Sequence, residues 1–528
     1  MEISIEGKMN KKNQDKLQHL LELDFTKLEP NEALDKLGIL LDLSYDQKFL
    51  QGTEKAIKIG ENLLKSLKFS KDKALLYYFL ANAHSDKHKM ESYKTEETIW
   101  AWESPYLEKP LLYLRQAILE PGFNELSRYR KAQIFTNLGN MLISIGRSLE
   151  AIEYWDQALL RIEGFPMALG NKGVALAAIA NVIYDLGHRY ILYHFAKISL
   201  EEAIGNSKLI PITEEAYERF NRKLVEVEKF YNYMGCKIDS IDLNNFSLGD
   251  TKQEIEYRKW CLRHRLFINP LNDVGNYNLS ARDPFLLPSI ITGIEEGPHF
   301  HGLFNQIKQE FASARFLLYQ GLHFNQPHYS DREVYLYDTL DYPVYSLGIE
   351  QVKFAYRSAY SIFDKIAFFL NKYFDLKIPE HGVAFRSLWF KNQSKDKGLR
   401  NEFNGRKNWP LRGLYWLSKD LYEQKGEFKE SLEPEAQELQ IIRNQMEHKF
   451  LKVHELLPPK DAKLEDDLAY SIWREELKRK TIKLFKMVRS AIMYLSMAIY
   501  VEEAKKRKGR AGKIVKIKLP LWEDEWKR

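Results

Sequence analysis

The stretch AQIFTNLGNMLISIGRSLEAIEYWDQALLRIEGF (132–165) constrains the fold more than any other part of the chain. It sets Phe135, Leu138, Gly139 and Leu142 on one helical pattern and Ala151, Trp155 and Ala158 on the next. Small residues at Gly139, Ala151 and Ala158 let two helices approach closely, while the bulky residues fill the space between neighbouring hairpins. Such a hairpin cannot bury its apolar face alone, so several must stack. Gly173 in GNKGVALAAIA falls one period after Gly139. LLYYFLANAH (75–84) with KPLLYLRQAILEPG (109–122) reads as a further unit carrying a long insertion, and ALDKLGILLDL (33–43) with EKAIKIGENLL (54–64) as a degenerate first one.

The order bulky–Leu–Gly–bulky followed by Ala–aromatic–Ala resembles the tetratricopeptide repeat. Three or four units over roughly 16–205, with a helix near 211–233 as a cap, make the expected solenoid. Two roles stay open for it, a groove for a peptide or protein and a structural support for the rest of the chain.

At 528 residues the chain exceeds one ordinary core, and two or three domains are expected. Apolar residues at 45% and aromatics at 13% suffice for full folding. A net charge of +6 permits a nucleic-acid partner without requiring one. Two cysteines, Cys236 and Cys261, exclude a disulfide framework or a Cys-based zinc site and favour a reducing compartment. The N-terminus lacks an apolar signal segment, and the longest apolar runs, 174–184 and 491–501, are shorter than the ~20 residues of a membrane span. A cytoplasmic location with no membrane partner is the expectation.

The expected organisation is a helical repeat region at 16–235, a connector at 236–298, a helical bundle at 299–505 and a basic tail at 506–528. The connector has an ordered, aromatic and basic middle, EYRKWCLRHRLFINP, in which Arg258, Lys259, Arg263 and Arg265 offer either RNA-phosphate contacts or ion pairs between domains. Beyond it, helical patterns recur at 302–320, 347–374, 411–424, 433–455 and 467–506, with no comparable alternating segment. The fold class is therefore all-α, a solenoid followed by a four- or five-helix bundle.

The helix expected at 433–455 carries Arg443, Asn444, Glu447 and His448. At 100° per residue, Leu439, Ile442, Met446, Phe450 and Val453 form one stripe facing the core. His448 and Asn444 then lie on the opposite side, and Arg443 and Glu447 on the flank. Ile441 and Leu451 share the outer side, which suggests a second buried surface such as a dimer interface. Spacing alone does not select this pair, because Arg189 and His194 repeat it inside the solenoid.

A helical bundle whose late helix carries Arg–polar–x3–His resembles the HEPN domain (higher eukaryotes and prokaryotes nucleotide-binding), whose ribonuclease members share an R-x4–6-H motif. YRKWCLRHRLFINPLND and AYRSAYSIFDKIAFFLN add to a likeness with bacterial proteins that join a repeat region to such a bundle. The resemblance implies a metal-independent endoribonuclease, homodimeric through the bundle, acting on RNA with Arg443, Asn444 and His448 as its catalytic set. Glu447 and Asp364 would orient Arg443 or His448. It implies no cofactor and no metal, a protein or peptide partner for the repeats, and a regulated role in phage defence or stress. Non-catalytic alternatives are an adaptor, a nucleotide- or RNA-binding scaffold, and Arg443 with Glu447 as an i,i+4 surface pair.

Other candidates are weaker. His299, His301, His323 and His328 match no metal-ligand spacing. Lys505, Lys506, Arg507 and Lys508 open a tail, KKRKGRAGKIVKIK, basic enough to follow a phosphate backbone or to be a solvated helix end. No phosphate-binding glycine loop occurs, so nucleotide hydrolysis and dinucleotide chemistry have no support.

Overall fold

The small-residue pattern builds helix upon helix. The computed structural model describes residues 11–91, 100–234, 242–293, 296–324, 326–422, 434–455, 468–509, 515 and 517–527. Among the described residues, ten helices form the first part: α1 Lys11–Glu22, α2 Pro30–Asp46, α3 Leu50–Ser66, α4 Ser70–Glu91, α5 Pro105–Leu119, α6 Arg128–Ser144, α7 Ser148–Leu159, α8 Pro166–Val182, α9 Leu186–Asn206 and α10 Glu214–Met234. From α1 on, each packs against the next, giving a continuous stack. Its starts are set locally: Ser127 accepts the Arg130 amide ahead of α6, Asp185 accepts the His188 amide ahead of α9, and Pro30 and Pro166 occupy first turns. Gly139 is required by packing, because a Cβ there would sit 2.5 Å from the Trp155 indole nitrogen.

The connector is not a spacer. Within it α11 (Lys252–Arg263), capped by Thr251, leads into segments whose Cys261, Leu266, Phe267 and Ile268 are buried. Asn269 and Asp273 are also buried, and they are satisfied from the bundle: Arg489 donates to both Asp273 carboxylate oxygens and to the Phe267 and Asn269 carbonyls. Cys261 is free; Cys236 lies outside the described residues.

The bundle comprises α12 (His299–Leu322), α13 (Leu347–Tyr373), α14 (Trp409–Tyr422), α15 (Pro434–His448) and α16 (Arg474–Lys508). With the solenoid they make an all-α fold, but two short strands occur as well: β1 (Phe450–His454) pairs in parallel with β2 (Ala469–Trp473). Sequence periodicity had carried one helix through to residue 455 and begun the last at 467. The helix instead ends at His448, and α16 starts only at Arg474, because residues 450–454 and 469–473 take ladder hydrogen bonds from each other. Glu433 lies outside the described residues. α16 is the central helix, and 83% of its most apolar window is buried within the protein.

Helices α4 to α10, the connector and the bundle share one core, in which α14 is the docking element, while α1 to α3 and the other face of α4 enclose a second, smaller core. Nearly every described side chain of α14 is buried. Trp102 stacks near Phe403, Trp389 and Tyr415, and the Trp102 carbonyl accepts from Trp416. Asp420, fully buried, holds Arg115 in two bonds of 2.8 and 2.9 Å and also pairs with Arg147 from the solenoid. The Asp420 carboxyl is held below the usual range: burial opposes its charge, but the two guanidinium groups outweigh it. Gly146 has φ +89°, and it and Gly413 on α14 approach so closely that a Cβ on either would strike the other's backbone.

Candidate active site

The last turn of α15 carries the motif. Leu439 and Ile442 are fully buried and Met446 packs on the core, so three of the five expected stripe residues behave as predicted. Phe450 and Val453 leave the stripe with the change to strand: Phe450 is 38% exposed, and Val453 is buried within β1. Leu451 is also buried in β1 rather than on an outer helix face, and Ile441 is half-buried. The mixed outer surface inferred for a continuous helix is thus not present in that form.

Tyr356 of α13 anchors the helix by donating to the Leu439 carbonyl at 2.6 Å, from a wholly buried position. Arg443 is half-buried on the flank that faces α13. Its guanidinium lies 6.0 Å from the Tyr360 ring centre and donates to the Asn444 side-chain oxygen at 3.2 Å. Asp364, one turn along α13 from Tyr360, accepts the Phe385 amide at 3.1 Å. Packing around the Asp364 carboxyl raises its pKa, opposed by that amide and by the charge of Arg443. Arg443 and Asp364 are therefore electrostatic neighbours, although no hydrogen bond joins them among the described residues.

Asn444, Glu447 and His448 are exposed. His448 is the final residue of α15 and has no hydrogen-bond partner among the described residues. Five residues separate it from Arg443, a rotation of about 140° around the helix. The guanidinium thus lies toward α13 while the imidazole is exposed to solvent.

Beside this end runs a second surface feature. Val334, Tyr335, Leu336, Tyr337, Leu340 and Tyr342 are between 55 and 96% exposed on the segment joining α12 to α13. The segment is fastened to β1, which starts two residues after His448. Val344 donates to the Val453 carbonyl at 2.8 Å, and Asp341 pairs with Lys452 at 2.5 Å in a nearly buried bridge. Sequence reading passed over this run; its only signal was a cluster of tyrosines and leucines between two long helices.

The other candidate residues are scattered. Arg265 pairs with Asp156 of α7 at 2.5 Å, and Arg258 donates to Glu254 and to the Ala281 carbonyl, so both face protein partners. Lys259 and Arg263 are exposed on α11. Lys505, Lys506 and Arg507 bond the Lys407 carbonyl, Glu503 and the Ser289 carbonyl respectively, while Lys508 is exposed. His323 bonds the Tyr319 carbonyl and His328 the Ser330 hydroxyl; no group of three or more potential metal ligands occurs among the described residues.

Compared with known families, residues 291–502 match the LA2681-like HEPN family, a span that runs from just before α12 into α16. No curated protein and no solved structure matches the chain. The match covers less than half of the sequence and leaves the solenoid and α11 outside it, while α15 and its Arg443–His448 turn lie inside. Over residues 291–502 the chain is thus similar to the HEPN domains of the LA2681-like family.

Proposed function

We propose that the protein is a metal-independent endoribonuclease whose chemistry resides at the end of α15. The observation that carries this reading is an exposed histidine with no hydrogen-bond partner among the described residues, five positions after a half-buried arginine, inside a region similar to HEPN domains. RNA brings its own nucleophile, the 2′-OH, so cleavage needs a proton acceptor and donor and a cation on the phosphate. His448 moves the proton, since an imidazole ring can accept one and return it. Arg443 offers a planar, permanently charged fork to the phosphate oxygens as charge builds on them. Asn444, already bonded to Arg443, keeps the guanidinium on the motif side of the helix. Asp364 and Glu447 balance the local charge. The products are a 2′,3′-cyclic phosphate and a 5′-OH.

A second copy of the chain completes the site, setting Arg443 of one copy against His448 of the other. Two features support this: the 140° divergence of the pair within one chain, and the exposed tyrosine- and leucine-rich run beside them, which is the kind of surface a homodimer covers. The solenoid, clamped to α14 by the buried Asp420 cluster, restrains the enzyme until its own partner arrives. The test is the chemistry of the ends: wild-type protein leaves cyclic phosphates on RNA, and replacing the 2′-OH by hydrogen at the cut position stops cleavage. Cleavage of the deoxy-substituted strand, or 3′-OH products, refutes the mechanism. Binding of RNA without any cleavage would favour the scaffold reading.

A further inference from the structure

α11 carries two exposed cations on one face, Lys259 and Arg263, one helical turn apart. Neither has a hydrogen-bond or ion-pair partner among the described residues, and like charges at this spacing repel. They border a cleft of about 530 Å³ between α11, the segment after it and the end of α12. That volume lies in the range of small-molecule sites, about 300–1,000 Å³. One wall is aromatic: Trp260, largely buried, and Tyr319 have ring centres 5.5 Å apart, and His323 lies 4.2 Å from Tyr319 at a tilt of 39°. The Tyr319 carbonyl is bonded to Nδ1 of His323.

The opposite rim is polar. Asn278 spends its amide hydrogens on the Asn244 and Phe246 carbonyls, which leaves its side-chain oxygen as an acceptor. Asn276 is exposed beside it, with no partner among the described residues. The single lining carboxylate, Glu256, is itself paired with Lys252. The local field is positive. His264, next to Arg263, is held down to about 4 by burial and then by the charges of Lys486, Arg263 and Lys478.

We propose that this cleft binds a nucleotide, with its base against the Trp260–Tyr319–His323 wall and its phosphate between Lys259 and Arg263. Each part answers a feature of that ligand. Bases stack on aromatic rings irrespective of sequence, the two cations take the anionic group, and Asn276 and Asn278 meet donors and acceptors on the base edge. The nucleotide is either free or one unit of an RNA strand; both present the same chemistry. The site is separate from the Arg443–His448 turn, and α11 lies outside the matched HEPN span.

The experiment is fluorescence anisotropy on the full-length protein with two probes, a fluorescent adenosine nucleotide and a short labelled 2′-O-methyl RNA that resists cleavage. Proteins are wild type, the double variant Lys259→Ala/Arg263→Ala, and a control, Lys65→Ala/Lys68→Ala, which removes two exposed charges from the solenoid. The double variant loses affinity on the order of tenfold or more and shows a shallower salt dependence, while the control binds like wild type. A loss on the free nucleotide assigns a small-molecule ligand; a loss on RNA alone assigns an RNA subsite. Absence of binding to both probes, equal affinities in the double variant and control, or displacement by inorganic phosphate as readily as by nucleotide overturns the proposal. Because binding of probes that are not cleaved is scored, failure here and failure of the cleavage mechanism are told apart.

Discussion

Replacing Asp420 by Asn keeps the side-chain shape and removes one charge from the centre of the solenoid–bundle junction. Arg115 and Arg147 are each only 4% exposed; both lose the carboxylate that held them in three bonds, and Arg147 keeps its pair with Glu150. Removing one partner of a buried ion pair costs about 3–5 kcal/mol, because the remaining charge is stranded away from water. Unfolding entropy scales at about 2.1 cal/mol/K per residue, so a chain of 528 residues has about 1.1 kcal/mol/K and the loss lowers Tm by about 3–5 °C. Calorimetry at neutral pH measures it. The pH dependence follows from the direction of the shift. A carboxyl held below its unfolded value stabilises the fold above that unfolded value and stops doing so as the pH falls through its folded one. The gap between wild type and Asp420→Asn is therefore flat near neutrality and narrows only below the ordinary aspartate value of about 3.9. A Tm change under about 1 °C, or a gap that widens in acid, refutes the reasoning.

Gly413→Ala separates helix propensity from packing. In an exposed helix the change stabilises by about 1 kcal/mol, but here the new Cβ meets the Gly146 carbonyl oxygen at 2.4 Å, so a net loss of about 1–3 kcal/mol is expected in urea unfolding. A stabilised variant would mean that α14 does not dock against that turn. Mixing Arg443→Ala with His448→Ala tests the shared site: half of the dimers are then mixed, each with one intact pair, and about a quarter of wild-type cleavage returns. No return on mixing, while wild type remains active, places both residues in one chain's site.

What the sequence made legible was local. Helix existence followed from apolar periodicity and from small residues such as Gly139 and Ala151, which must face a neighbour whatever that neighbour is. The core side of α15 was readable from Leu439, Ile442 and Met446 for the same reason. What failed was set by distant partners. Residues 450–454 keep a helical period, yet they pair with 469–473 and with Val344, and those contacts override the local pattern. Nothing local in the sequence marks Asp420 or Arg489; only the approach of Arg115, Arg147 and Asp273 makes them buried anchors. The Asn- and Pro-rich stretch after α11 read as a connector with an ordered middle, but what orders it was not legible, because its polar groups are satisfied by a residue more than 200 positions away. For Arg265, the alternative of an ion pair between domains is the arrangement present, with Asp156.

The decisive measurement is RNA cleavage with EDTA present, comparing wild type with His448→Ala. His448 is exposed at a helix end, so its removal leaves Tm unchanged and any effect is chemical. The expected result is cleavage by wild type that survives chelation and is abolished in the variant. Cleavage at equal rates by both proteins, or cleavage that stops when the metal is removed, would contradict a histidine-driven, metal-independent ribonuclease.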